Sequence, residues 1–213
     1  MSEPILCKHC GQRRARRACP ALQGDICSIC CGTEREVSLS CPLECEHLRE
    51  AHTHEKSLPV DPKDVADPDI EVSEDFVRRH EELLLFCIYS LLQAAIRTSG
   101  AVDTDVIQAL EALIKTHRTA ESGLIYESRP EHPVAAAVQR AFSESLDDYQ
   151  KIRSEREGLS PLRGKEILGI LVFLRRVGQQ NLNGRPRGRM FIDVLRHMTP
   201  EQRIDERAPS IIL

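Results

Sequence analysis

Cys7, Cys10, Cys19, Cys27, Cys30, Cys31, Cys41 and Cys45 are eight of the nine cysteines in this 213-residue chain. Thiolates are nucleophiles, redox groups or soft metal ligands, and their spacing decides among these roles. Cys7-Lys8-His9-Cys10, followed by Gly11, sets two thiols two residues apart, and Cys27-Ser28-Ile29-Cys30 repeats the spacing. A turn of that length points both sulfurs to one side, so two such knuckles provide the four ligands of a tetrahedral ion. Glycine after the second cysteine allows the backbone to turn tightly. We assign Cys7, Cys10, Cys27 and Cys30 to a first zinc. Cys19, Cys31, Cys41 and Cys45 remain, the number a second ion needs, with His47 or Asp25 in reserve for the place given to Cys31. The expected cofactor is therefore Zn2+, two ions per chain.

Other thiol chemistries fit the pattern less well. Iron–sulfur clusters also use four thiolates, but two interleaved sets with knuckle spacing suit zinc better. A catalytic zinc keeps an open position, whereas all-cysteine sites are closed, so the role is structural and no catalytic residue is assigned. Redox Cys-x-x-Cys pairs act in a strand-to-helix setting that this loop-rich stretch lacks. An odd cysteine count with the adjacent pair Cys30-Cys31 fits a disulfide framework poorly. His9, His52 and His54 read as solvated or supporting residues. The start of the chain has no basic segment leading into an apolar core, and the apolar run Leu83 to Ile96 is shorter than the ~20 residues a bilayer requires. A cytoplasmic protein with reduced thiols and no membrane association is expected.

A segment this small buries too little apolar surface to fold alone, and structural zinc supplies on the order of 10 kcal/mol per site. The gaps between Cys7, Cys10, Cys19, Cys27, Cys30, Cys41 and Cys45 are two, eight, seven, two, ten and three residues. That spacing resembles the cross-brace double-zinc fingers of the B-box and ZZ type over about the first fifty residues. It departs from a B-box at Leu22, where an acidic or cysteine ligand would follow Cys19. The resemblance implies a binding module rather than an enzyme. The phrase Ile26-Cys27-Ser28-Ile29-Cys30-Cys31-Gly32-Thr33, with the Glu121-to-Glu127 and Asn183-to-Arg189 stretches, is also similar to a group of uncharacterised bacterial proteins, which implies an architecture and no activity.

The elements behind the finger are helical. A short helix is expected through Glu46 to Glu55, then a stiff acidic linker over 57–72 containing Pro59, Pro62 and Pro68. Ser73 caps the first turn of the next helix, with Glu74 and Asp75 at the positive end of its dipole. Leu83 through Ile96 is apolar on nearly every face, so this helix must be surrounded, and Cys87 within it reads as a small buried hydrophobe. Further helices run from Asp103 to Thr119, from Pro133, from Ser160-Pro161 and through Met190 to Leu195. Thr199 to Gln202 reads as one more start, and Ile211 to Leu213 as a frayed or docking tail. The expected fold is mainly α: a Cys-rich module over 1–56, the linker, and an all-helical bundle over 73–213.

Charge narrows the partners. Residues 1–56, 57–150 and 151–213 carry net charges of 0, −10 and +6, within an overall −4. The main reading is an adaptor whose finger recognises a protein partner and whose helical domain supports homo-oligomerisation or docking. The alternative is nucleic-acid binding through Arg13-Arg14-Ala15-Arg16-Arg17 and Arg185-Pro186-Arg187-Gly188-Arg189, although no aromatic residue precedes Lys56 for base stacking. The second basic loop is alternatively solvated or paired with Glu121 to Glu131. An enzyme in the helical domain is the third reading. Its candidate groups lie in and beside the Glu121-to-Glu127 loop, with Tyr126, His117 and His132 nearby.

Overall fold

Short cysteine loops and long apolar periodicities give the two halves of the sequence different architectures. A computed structural model describes residues 4–61, 63, 65–124, 126–157 and 162–199. The expected helix starts at Ser160-Pro161 and after Pro200, and the tail Ile211 to Leu213, lie outside the described residues. The chain divides into two compact units, Met1–Leu58 with Leu182–Met190, and Pro59–Asn181 with Phe191–Leu213. The fold is mainly α, with eight helices and one two-stranded sheet among the described residues.

The first unit contains β1 (Arg17–Cys19), β2 (Gly24–Ile26), α1 (Ser28–Glu34) and α2 (Glu46–His54). β1 and β2 pair antiparallel with Arg17 opposite Ile26 and Cys19 opposite Gly24. The sequence gives no warning of this sheet, because three residues per strand are too few for alternation to register. Its core is small: Ile26, Leu39, Leu43 and Leu48 are buried alongside the cysteines.

The second unit contains α3 (Glu74–Arg79), α4 (Glu81–Arg97), α5 (Asp103–Glu121), α6 (Pro133–Glu157), α7 (Gly164–Gln180) and most of α8 (Met190–Met198). Ser73 caps α3 as expected, its hydroxyl accepting the Phe76 N–H at 3.1 Å. α4 packs against α6 and α7, and α5 against α6 and α7. Leu91, Leu92, Ala95 and Cys87 of α4 are within 1% of full burial. Each fully buried large aliphatic or aromatic side chain contributes ~1.5–3 kcal/mol. Asp103, 2% exposed, accepts the N–H groups of Phe191 and Ile192, both at 3.0 Å, which fixes the first turn of α8. Gly178 is small because Phe191 presses on it: an added Cβ would lie 2.8 Å from Phe191 Cε1.

Two segments sit differently from the expectation. Leu182–Met190, expected with the helical bundle, groups with the first unit. Leu58 N–H donates to Leu182 O at 2.8 Å, and charged side chains described below complete the attachment. Within the expected linker, Arg176 donates to the carbonyls of Ala66, Asp67 and Ile70, and Arg118 and Arg175 pair with Asp67. Asp67 of this stretch is thus fastened to both α5 and α7, and Asp69 to α5. Among the described residues no helix is long and apolar enough to cross a membrane.

Candidate metal centre

The first knuckle is closed by backbone bonds that its sequence makes available. Gly11, at φ +63°, donates its N–H to Cys7 O at 2.8 Å, a conformation glycine adopts at little cost. Residues 5–7 run antiparallel to 13–15: Cys7 N–H meets Arg13 O, and Ala15 N–H meets Ile5 O, each at 2.8 Å. The second knuckle begins at the end of the β1–β2 hairpin. Cys27 caps α1, its sulfur accepting the Cys30 N–H at 3.4 Å.

These two turns bring the sulfurs of Cys7, Cys10, Cys27 and Cys30 within 4.8 Å of one another. Zinc–sulfur bonds of about 2.3 Å in a tetrahedron require sulfurs about 3.8 Å apart, so a small inward movement suffices to hold an ion. The donor set suits a soft or borderline divalent cation. The electrostatics agree. Burial opposes ionisation of Cys7, but N–H groups of Cys27, Cys10 and His9 offset it and lower the thiol to about 6. N–H groups of Gln12 and Arg13 likewise lower Cys10. Burial, and then the neighbouring thiols of Cys27, Cys10 and Cys7, push Cys30 up to about 12. Four adjacent thiolates repel one another, and a divalent cation removes that penalty.

The other four finger cysteines converge on a different place. Cys19, Cys31, Cys41 and Cys45 line one cavity of about 10 Å³, with Leu39 and Leu48 as apolar wall and Arg35 and His47 at its side. That is space for about one water-sized occupant. These sulfurs share a cavity rather than the tight mutual approach of the first set. Burial raises Cys41 to about 11, reinforced by Cys45, Cys19 and Glu36 and opposed by the Glu36 N–H. Of the two reserve ligands, His47 lines this cavity, whereas Asp25 sits on β2 with its carbonyl accepting the Lys8 N–H at 2.8 Å.

The arginine-rich stretch is sorted by strand alternation. Arg13 Nη1 approaches Cys30 Sγ at 4.0 Å, and Arg17 Nη1 approaches Cys31 Sγ at 3.4 Å. Arg14 and Arg16 alternate with these two and are exposed, as is Arg13, while Arg17 is half-buried. Successive side chains of a strand alternate between faces, so one run supplies cations to both cysteine sets and to solvent.

The second basic stretch is committed within the first unit, and neither the solvated reading nor pairing with Glu121 to Glu131 describes it. Glu36, fully buried, is its anchor. The Glu36 carboxylate accepts from Asn183 Nδ2 at 2.8 Å and Arg189 N–H at 2.7 Å, and lies 3.2 Å from His52 Nε2. Its carbonyl accepts the Arg187 N–H at 2.8 Å. Arg185 donates Nε to Glu55 at 2.7 Å and Nη1 to Arg35 O at 2.8 Å. Glu36, His52 and Glu55 also bring ligand atoms within 4.8 Å. Their acceptors are already filled by Asn183, Arg185 and the Arg189 amide, and the Arg185 guanidinium would repel a cation, so this is an anchoring network. Glu36 was not identified from the sequence. The only hint was a cationic phrase, Arg185 to Arg189, lacking a nearby anion.

In the second unit the candidate acid–base groups do not converge. Glu127 pairs with Arg129 at 2.8 Å, Tyr126 is exposed, and His132 Nδ1 meets Asp105 Oδ1 at 2.5 Å. Burial lowers His117 below its usual range, against the pull of Glu121 and Asp147. No family model, no curated protein and no solved structure matches this chain.

Proposed function

We propose that the chain is a cytoplasmic adaptor in which a finger held by two zinc ions captures a protein partner, while the helical unit supports oligomerisation or docking. The observation that carries this reading is the mutual approach of Cys7, Cys10, Cys27 and Cys30 within 4.8 Å, on two knuckles preset by backbone bonds. Cys19, Cys31, Cys41 and Cys45 would hold the second ion, giving the cross-brace connectivity of B-box and ZZ fingers. Zinc supplies structure there: it ties knuckle, hairpin and helix together where the apolar core is too small to do so. Arg13 and Arg17 offset the excess negative charge of thiolate sets around a divalent ion. The protein reading is favoured over nucleic acid because Arg13, Arg17 and Arg185 are engaged within the finger unit.

The test is elemental mass spectrometry of protein purified without added metal. Two zinc ions per chain are expected, falling to one in Cys7→Ser and in Cys31→Ser and unchanged in His47→Ala. Iron, or a parent protein that holds one zinc per chain and keeps the same content in Cys31→Ser, overturns the assignment. Partner capture should then disappear in Cys7→Ser and persist in Cys87→Ala.

A further inference from the structure

α2 presents His47, Glu50, Ala51 and His54 to an open cleft of about 350 Å³, which Arg17, Arg35 and Glu55 complete. Positions i, i+3, i+4 and i+7 share one helical face, and Ala51 in the middle of the stripe leaves the room.

The donors of this cleft exceed its available acceptors. Among the described residues Arg35 Nε is shut off from solvent without an acceptor. A guanidinium carries five donors and is always charged, so the Nη groups of Arg35 can serve an anion that enters the cleft. Arg17 directs Nη1 to Cys31 Sγ at 3.4 Å, and His54 is exposed and uncommitted. On the acidic side, Glu55 already accepts from Arg185 at 2.7 Å and Asn183 at 3.3 Å. Glu50 is 71% exposed at the rim, 3.9 Å from His47. Among the described residues the cleft thus offers Arg35 no carboxylate partner, and the polar contact of Arg17 is with a sulfur.

We propose that this cleft binds an oxyanion, a carboxylate or phosphate group, with Arg35 as the main donor and Arg17 and His54 beside it. The site rests on the finger reading above, because zinc must hold α1 and α2 in place. A planar fork on an open wall suits bidentate capture of such a group. The competing role for Arg35 is charge compensation of the neighbouring cysteine cavity, which it also lines.

The experiment uses the zinc-loaded full chain labelled with 15N, titrated with inorganic phosphate and, separately, with a hexaglutamate peptide, following arginine Nε–Hε and His54 resonances. Saturable shifts are expected at Arg35 and His54. Saturation by the peptide at tenfold lower concentration than by phosphate assigns the site to acidic side chains of a partner, and the reverse assigns it to a free phosphate group. Ala51→Phe fills the cleft without altering a cysteine and should abolish the shifts with zinc content unchanged. Arg35→Lys keeps the charge, loses the fork and should weaken binding at least tenfold. Binding that survives Ala51→Phe, or non-saturating shifts shared with Arg14 and Arg16, overturns the proposal. Zinc loss in Arg35→Lys with unaltered His54 shifts overturns it in favour of charge compensation. Failure of the finger reading itself has a different signature: no bound zinc and no dispersed finger resonances before any anion is added.

Discussion

Glu36→Ala should loosen residues 182–190 far more than any other single acidic substitution in the finger. The carboxylate is fully buried and serves three donors. Its removal leaves the Arg189 N–H, bonded at 2.7 Å, without that acceptor. Asn183 retains Glu55 at 3.3 Å, so its loss is partial. A buried donor left unpaired costs ~1–3 kcal/mol, and adding partial losses at Asn183 and His52 gives about 2–4 kcal/mol. At about 1.4 kcal/mol per tenfold, local opening rises roughly 30- to 700-fold. Hydrogen exchange of the 182–190 amides reads this directly. Glu36→Gly loses the same acceptor but relieves the φ of +53°, so it should recover about 1 kcal/mol relative to alanine. Exchange in Glu36→Ala within threefold of the parent, or alanine outperforming glycine, would refute the reasoning.

Three further outcomes follow from the second unit. Cys87, pushed up to about 12 by burial, should resist iodoacetamide in the native protein and react in denaturant; rapid native labelling counts against a closed α4 core. Arg118 holds Asp69 down to about 2, from 3.8 in the unfolded chain, so this pair contributes stability above about pH 4 that is lost as pH falls towards 2. Arg118→Gln should therefore cost more at about pH 5 than at about pH 2, measured as urea midpoints, and an equal cost at both would exclude the linkage. Gly178→Ala sets a Cβ against Ile107 and Phe191, and overpacking of this kind costs ~1–3 kcal/mol, so a lower Tm is expected and an unchanged one contradicts the contact.

What was legible in the sequence was local. Two knuckles can be read from spacing because four bonds and a glycine largely determine where the sulfurs go, as Cys7, Cys10 and Gly11 show. Ser73 and Pro133 mark helix starts for equally local reasons, a side-chain acceptor and a fixed φ. The surrounded helix α4 follows from residues apolar on every side. Glu36 was illegible because its partners lie 147 and 153 residues away, and charge pairing over that distance has no period to detect. The same holds for Asp67, reached from Arg175 at a separation of 108 residues.

The run Arg13 to Arg17 shows why composition alone misleads about function. Four guanidinium groups in five residues suggest a phosphate clamp, but in an extended segment they alternate, and Arg13 and Arg17 turn to the sulfurs of Cys30 and Cys31. Arg13 is exposed despite that contact, and Arg14 and Arg16 are the two of that run with no sulfur contact. Two phosphate contacts release counterions with a slope of about −1.8 in log K against log salt, well short of the slopes of proteins that make six to ten such contacts. Cations placed against thiolates instead make the charge of the cysteine sets tolerable in a module with little apolar core. Half of the basic stretch is thus turned to the sulfurs of the two cysteine sets.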